Sequence, residues 1–540
     1  MPPIRRGVSE PSLPPEQAPA HTTIREHLLN FAQSDSPALL THDQSWSWRE
    51  LIEAISRRAN ALSALWDPAK PRHIGLLMDN SAEMALSIMS AGLGTHVAVG
   101  LNNTRRGEGL RADILRADCQ IVLVDPEYEV LLSGLDLGAT RVLVSDSASW
   151  QELLDGASGE VPHAEVDPDA LFMLVFTSGT SGDPKAVRLT HAKITGPGQK
   201  LNDRFELGGD DVRYVTMPLF HSNALMAGWG MALVCGAPIA LARKFSASRF
   251  LADVRHFGAS YTSYVGKPLA YVLATPEQPD DARNPLRIVF GNEASDRDIA
   301  EFTRRFGCRV VDGFGSSENA VVVSRIDGTP PGALGMPAAD VAVFNPESGL
   351  ECPRAVIIDG IVTNLEECVG ELVNFKGSGE FAGYYNDEAA TRERMRNGMY
   401  WSGDLAYRDA AGWVYFAGRT ADWLRVDGEN LAAAPIERIL ARHPAIKEVA
   451  VYALPDPITG DQLVAAVTLR APISAEEWSQ FLASQEDLGT KSWPAQVFVM
   501  DELPRTATNK VRKNDLQALG VPERGARWIR TPRTQQYRVG

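Results

Sequence analysis

The sequence predicts an α/β chain: a large N-terminal domain of stacked, mostly parallel α/β sheets, a small β-rich subdomain, and a small α+β domain at the C-terminus. Three observations predict it. Apolar β-type runs alternate with helical patterns over about 250 residues, the pattern of a parallel sheet covered by helices. From about Ala333 to Phe416 short strands, glycines and acidic turns take over. After Gly418 a unit of roughly 120 residues mixes helix and strand signals. These readings divide the chain into a tail (1–20), an N-terminal domain (21–417), a C-terminal domain (418–520) and a basic tail (521–540).

The elements follow in order. The proline-rich stretch 1–20 has little to bury and is expected to be disordered. His73–Met78, Gln120–Asp125 and Arg141–Ser145 read as strands, and Ala82–Ala91 has helical composition. Leu171–Val175 reads as a buried strand. Arg213–Met217, Pro238–Ala242, Ser260–Val265, Arg287–Phe290 and Arg309–Val311 continue the strand series. Leu251, Val254 and Phe257 recur at helical spacing, as do Ile299, Phe302 and Phe306. Gly370–Phe375, Tyr400–Asp404 and Gly412–Ala417 are the strands of the β-rich part. Beyond it, Pro435 opens a helix, Glu448–Ala453 and Leu463–Leu469 are strand-like, and Ser474 with Glu477 forms a capping-box pattern.

Composition narrows the function. Hydrophobic residues make up 44% and charged residues 22%, ordinary for a globular protein. The formal net charge of −15 argues against a long nucleic-acid groove, which needs a basic face. Five cysteines are scattered without CxxC or zinc spacing, which reads as a reduced, cytoplasmic protein. No apolar h-region follows Arg5 and Arg6, and no run of about 18 uncharged apolar residues predicts a spanning helix. A homodimer is compatible with the sequence.

The chemistry concentrates after the strand Leu171–Val175, in Thr177-Ser-Gly-Thr-Ser-Gly-Asp-Pro-Lys185. Glycines let backbone N–H groups approach a ligand, hydroxyls donate hydrogen bonds, and the lysine adds a point charge. That mixture suits a triphosphate. The spacing does not fit a Walker A loop, and such a loop taken alone is more often a plain surface turn. In parallel sheets ligands sit beyond the carboxyl ends of strands, so this loop and the turn Asp312–Glu318 could face one crevice.

Four further stretches accompany the loop: Asp312-Gly-Phe-Gly-Ser-Ser-Glu318, Tyr400-Trp-Ser-Gly-Asp404, Gly418-Arg-Thr-Ala-Asp-Trp-Leu-Arg-Val-Asp-Gly-Glu-Asn430 and Pro504-Arg-Thr-Ala-Thr-Asn-Lys510. In this order and spacing they resemble the acyl-adenylate-forming enzymes, over about residues 24–516. The resemblance implies a large N-terminal domain and a small mobile C-terminal one. It implies ATP, Mg²⁺ and CoA as reactants or cofactors, and a two-step reaction. A carboxylate attacks the ATP α-phosphate, giving acyl-AMP and pyrophosphate; a thiol then displaces AMP. Cations and N–H donors aimed at the first transition state lower its barrier.

By resemblance, Thr177, Ser178, Gly179, Thr180 and Lys185 form the phosphate loop, with Thr177 and Glu318 on the metal side. Ser317 bonds phosphate within the Asp312–Glu318 motif, which includes Gly315; Phe314 stacks on adenine beside Gly291 and Asn292. Asp404 holds the ribose hydroxyls, Arg419 lies beside ribose and phosphate, and Arg425 stands where a lysine is common. Asp422 is the hinge, Gly428 belongs to the loop that swings in for thioester formation, and Lys510 reaches the α-phosphate and carboxylate. His221 matches a gating position between the ATP and acyl sites. Asn509 and Gly291-Asn-Glu-Ala294 depart from the usual Gly and Gly-Gly-Ala, which bears on fine geometry.

Leu101-Asn-Asn-Thr-Arg-Arg-Gly-Glu108 resembles a segment of the fatty-acid-transport-type and carnitine-type CoA synthetases, while the wider text, including Thr177–Lys185, Met217–Asn223 and Tyr384-Tyr-Asn-Asp-Glu-Ala-Ala390, resembles actinobacterial ligases of fatty-acid or sterol side-chain catabolism. A long or bulky apolar acid is therefore the expected substrate. Asn223, Trp229, Tyr264, Val265, Gly266 and Asn292 are the candidate pocket residues. Two alternatives stand beside this reading. One is an adenylation enzyme that loads a carrier protein or makes an acyl-AMP for another acceptor, and no carrier serine motif follows residue 516; the other is an inactive binding protein, against which all five charged positions are retained. The basic C-terminal segment reads as a disordered arm or a recruiter of CoA phosphates.

Overall fold

The structure is a computed structural model. It describes residues 22–540 apart from 178–183, 359–360, 420–422, 427–428, 457–459, 486–487, 489, 506–510, 523–524, 532–533 and 535. The stretch expected to be a disordered tail lies outside the described residues. Among the described residues two compact units emerge: residues 22–320 with Ser378–Arg396, and Val321–Gly377 with Asn397–Gly540.

In the first unit the alternating pattern yields two sheets. Its strands are β1 (Pro37–Leu40), β2 (Ser45–Ser47), β3 (His73–Leu77), β4 (Val97–Gly100), β5 (Cys119–Val124), β6 (Arg141–Val144), β7 (Leu171–Thr177), β8 (Lys185–Thr190), β9 (Val212–Val215), β10 (Ile239–Leu241), β11 (Ala259–Val265), β12 (Ile288–Asn292) and β13 (Arg309–Phe314). One sheet has the order β6-β5-β3-β4-β7-β8, parallel except for the antiparallel pair β7–β8. The other runs β13-β12-β11-β9-β10-β1-β2 and is parallel up to β1. Strands buried on both faces read as continuous apolar runs, as β3 and β5 do.

Helices lie between them, and Ala82–Ala91 is buried all round from Met84 onward. Trp48–Ser63 starts with a capping box, Ser47 and Glu50 exchanging hydrogen bonds. His191–Phe205 is a helix the sequence reading passed over, because Gly196, Pro197 and Gly198 interrupt its pattern. Gly198 has a packing reason. A Cβ there would stand 2.7 Å from the Gly230 backbone, so only glycine lets the helix approach that segment.

The second unit holds two larger sheets, besides the two-stranded pairs Ile357–Ile358 with Ile361–Val362 and Trp423–Val426 with Glu429–Ala432. One has the order Val341–Phe344, Gly370–Asn374, Met399–Arg408, with Val414–Arg419 paired to the last. The other runs Ile446–Asp456, Gly460–Leu469, Gln496–Val499, Arg527–Arg530, Tyr537–Val539. The helix that the sequence starts at Pro435 begins two residues earlier, at Ala433. Proline is tolerated there because N–H groups of the first turn have no intrahelical partner. The capping box of Ser474 and Glu477 forms as read. The basic end of the chain supplies two strands of its sheet, and Trp528 and Tyr537 are buried in the same core as Trp478 and Trp493. Its apolar residues, spaced among arginines, carry that segment into the fold.

Candidate active site

The β7–β8 hairpin sets the site. Thr177 and Lys185 face each other at its open end, and Thr177 Oγ1 donates to the Lys185 carbonyl at 3.5 Å. Ser178, Gly179 and Thr180 lie outside the described residues. The segment after Ser378 runs along β8: Tyr384 bridges to Val187, and the Tyr385 N–H donates to the Ala186 carbonyl at 2.8 Å. This lays the Tyr384 ring against Lys185, whose Nζ is 5.3 Å from the ring centroid. Lys185 Nζ also stands 3.7 Å from Glu393 Oε2.

Tyr384 links this hairpin to Glu318. Its hydroxyl donates to Glu318 Oε1 at 2.8 Å, and both residues are buried. Burial, reinforced by the Glu318 charge, holds the Tyr384 phenol well above its ordinary pKa, so it stays a donor. Glu318 sits in the turn after β13. Asn319 takes a left-handed conformation there (φ 52°), one that asparagine tolerates, and its side chain donates to Glu380 Oε2 at 2.6 Å. Next in the turn, Ser317 Oγ lies 2.7 Å from Ser222 Oγ.

That hydroxyl pair brings the His221 segment to the same place. Asn80 fixes the approach: its amide donates to the Met217 carbonyl and its oxygen accepts from the Leu219 N–H, both at 2.8 Å. Gly100 at the end of β4 makes room, since a Cβ there would stand 2.9 Å from Phe220 Cα. His221 is then half-buried, its ring 4.6 Å from that of Phe220.

The ends of β11, β12 and β13 form the adjoining wall. Gly291 lies opposite Tyr264, and a Cβ at 291 would come within 2.2 Å of the Tyr264 carbonyl oxygen. Asp312 Oδ2 accepts from the Tyr264 hydroxyl at 2.7 Å and from the Ala294 N–H at 2.9 Å. Asp312 and Tyr264 therefore lock the strand ends together, a use the motif alone did not reveal. Asn292 Nδ2 reaches the Gly315 carbonyl at 3.5 Å; Gly315 is exposed and Phe314 half-buried. Between them Glu293 is held at φ 73°, a strained conformation for a residue with a Cβ.

Among the pocket candidates, Gly266 (φ 77°) donates its N–H to the Asn292 carbonyl at 2.9 Å, and Val265 is half-buried. Asn223 Oδ1 and Trp229 Nε1 are buried without a hydrogen-bond partner among the described residues. They bracket a π-helical turn, Leu225–Trp229, a distortion often found at functional sites. Trp229 stacks on Phe172 at 5.5 Å. A cavity of about 10 Å³ beside it is bounded by Ile88, Met89, Leu225, Ile239 and Leu241. It is apolar and too small for an acyl chain as it stands.

The second unit holds the remaining described candidates. Asp404 is buried in the strand Met399–Arg408, and its N–H donates to Ser402 Oγ at 3.0 Å. Its register partner on the next strand is Arg419. Arg425 lies on Trp423–Val426, opposite Asn430. Asp422, Gly428 and Lys510 lie outside the described residues.

Two residues of the first unit were not singled out as site residues in the sequence. Tyr384 is 66 positions from the carboxylate it bonds, a pairing no local pattern signals. Lys193 is 3% exposed in the first turn of His191–Phe205, where the Thr190 side chain caps its N–H. A lysine amid buried positions of an amphipathic helix is the one signal that could have flagged it. Among the described residues no group of three His, Cys, Asp or Glu side chains could hold a metal ion. Mg²⁺, however, is commonly held by one or two carboxylates together with phosphate oxygens, and Glu318 fits that use.

The chain matches two families, the AMP-binding enzymes over residues 30–385 and the AMP-binding enzyme C-terminal domain over residues 435–510. It is 49% identical over 505 residues to a medium/long-chain-fatty-acid–CoA ligase (FadD17) of Mycobacterium marinum, covering 93% of this chain and 97% of that one. It is 44% identical over 504 residues to a steroid-22-oyl-CoA synthetase of Rhodococcus jostii, covering 92% and 91%. Among solved structures, the o-succinylbenzoate CoA synthetase of Bacillus subtilis with its acyl-adenylate intermediate aligns with a TM-score of 0.76 at 26% identity, covering 92% of this chain and 98% of that one.

Proposed function

The chain belongs to the AMP-binding enzyme family, and from that premise we infer that it is an AMP-forming acid–thiol ligase joining an apolar carboxylic acid to CoA at the expense of ATP. The observation that carries this reading is near-end-to-end identity of about half to a ligase of medium and long-chain fatty acids, with a steroid-acid synthetase close behind. The substrate is accordingly a long-chain or bulky apolar acid, a steroid side-chain acid being the narrower form.

The residues divide the work as follows. Thr177 to Lys185 cradle the triphosphate, with Lys185 steadied against the Tyr384 ring. Ser317 bonds a phosphate oxygen, and Gly291, Asn292 and Phe314 form the adenine side. Asp404 accepts the ribose hydroxyls, two acceptor oxygens matching a diol. Arg419 and Lys510 meet the negative charge that gathers as the carboxylate attacks the α-phosphate. His221 separates the nucleotide from the acyl group, and the segment containing Gly428 serves the thioester step after rotation at Asp422. Glu318, held by Tyr384, and Thr177 would hold Mg²⁺, which when bound neutralises phosphate charge. We place the enzyme in the cytoplasm.

Lys510→Ala tests the division of roles. It is expected to abolish ATP–pyrophosphate exchange while leaving CoA-dependent turnover of a supplied acyl-AMP within a few-fold of wild type. Equal loss of both half-reactions would overturn the assignment.

A further inference from the structure

Lys193 is a buried ammonium that the reaction scheme does not use. Its Nζ is inaccessible and makes no hydrogen bond among the described residues. An ammonium has three donors, and leaving them unmet in a buried place is costly unless opposite charge or a ligand compensates. Two carboxylates act on it, Glu318 and Glu380; burial still pushes its pKa down to about 8. The surroundings are fixed: Tyr384 donates to Glu318, Asn319 donates to Glu380, and Lys200 Nζ lies 4.0 Å from Glu380 Oε1. Lys193 and Lys200 sit two turns apart on one helix and so present one face to this acidic pair.

We propose that Lys193 is a positioning residue for nucleotide binding: a built-in counter-charge to Glu318 and Glu380 that keeps the carboxylates from repelling a triphosphate before a divalent cation joins it. The proposal rests on the ATP reading of the Glu318 side. Without Lys193, Lys200 would still lie 4.0 Å from Glu380 Oε1, but the carboxylates would face the triphosphate with one counter-charge fewer, which the divalent cation would have to supply. At a separation of about 10 Å and an effective dielectric of about 20, one unit charge changes binding roughly tenfold.

Equilibrium binding of ATP, measured by calorimetry with excess Mg²⁺ and with EDTA, tests it on wild type, Lys193→Met and Lys193→Arg. In Lys193→Met the metal-free Kd should rise about tenfold or more while the Kd with Mg²⁺ changes less than threefold; Lys193→Arg should track wild type. In the pair with Glu318→Gln, the metal-free loss caused by Lys193→Met should shrink. Circular dichroism identifies a variant that fails to fold, and Lys193→Gln then replaces Lys193→Met. A purely structural lysine would weaken binding equally in both conditions, which overturns the proposal. Wild type that binds no ATP in either condition would instead overturn the functional reading on which it rests.

Discussion

Removing one oxygen from Tyr384 tests how the Glu318 carboxylate is held. The Tyr384 hydroxyl donates to Glu318 Oε1 at 2.8 Å in a buried setting. A hydrogen bond to a charged group contributes about 1.5–3 kcal/mol. Tyr384→Phe keeps the ring that packs at 5.0 Å against Phe381 and faces Lys185, so packing and the cation–π contact survive. The loss should therefore fall on the hydroxyl's polar partners, the Glu318 carboxylate and Arg394. At about 1.4 kcal/mol per decade, misalignment of Glu318 predicts a drop of roughly 10- to 100-fold in kcat/KM for adenylation. The assay is ATP–pyrophosphate exchange over a Mg²⁺ titration, where the Mg²⁺ requirement should also rise. Exchange within twofold of wild type at every Mg²⁺ concentration, in a protein with a lowered melting temperature, would refute the reasoning. Tyr384 would then hold the fold and not the reaction.

Two further outcomes follow from backbone strain and burial. Glu293 carries a side chain at φ 73°, so Glu293→Gly should raise stability by about 1 kcal/mol, read as a higher melting temperature; a lower one would mean that its side-chain contacts outweigh the strain. His191 is buried with Nδ1 accepting the Ile24 N–H at 3.2 Å, and burial pushes its pKa down to about 4, below an unfolded value of about 6.5. Between those values the unfolded chain binds more protons, so stability is fully present above pH 6.5 and is lost as pH falls toward 4, by about 2 kcal/mol at pH 5. Melting temperature against pH should accordingly fall less steeply in His191→Asn than in wild type, and parallel slopes would rule out this histidine as the source.

Much of the site was legible because its residues sit in contiguous motifs. Leu171–Val175 read as a strand running into a hydroxyl- and glycine-rich loop, and β7 runs two residues further than that, to Thr177. Glu318 and Asp404 were flagged by the resemblance of their motifs, taken together, to the acyl-adenylate-forming enzymes; neither the glycine turn nor the short β run alone marks a site. What was not legible depends on distance along the chain. Tyr384 meets Glu318 only because residues after Ser378 fold back beside β8. Asp312 reads as a ligand residue in its motif, yet its Oδ2 holds Tyr264 and Ala294, contacts invisible without the parallel register of β11, β12 and β13. The helix His191–Phe205 was masked by the glycines and proline that its close approach to Gly230 makes useful. The C-terminal arginines drew attention to charge, while Trp528 and Tyr537 between them decide that the segment packs.

Release of AMP from ATP and Mg²⁺, with and without CoA, tests the central claim most directly. The acids should include acetate, medium and long-chain fatty acids, aromatic acids and steroid side-chain acids. The account predicts CoA-dependent AMP release with long-chain or steroid side-chain acids and little with acetate. Acyl-AMP that accumulates without CoA turnover would contradict the ligase and point to a carrier-loading enzyme, and the absence of AMP with every acid would contradict adenylation itself.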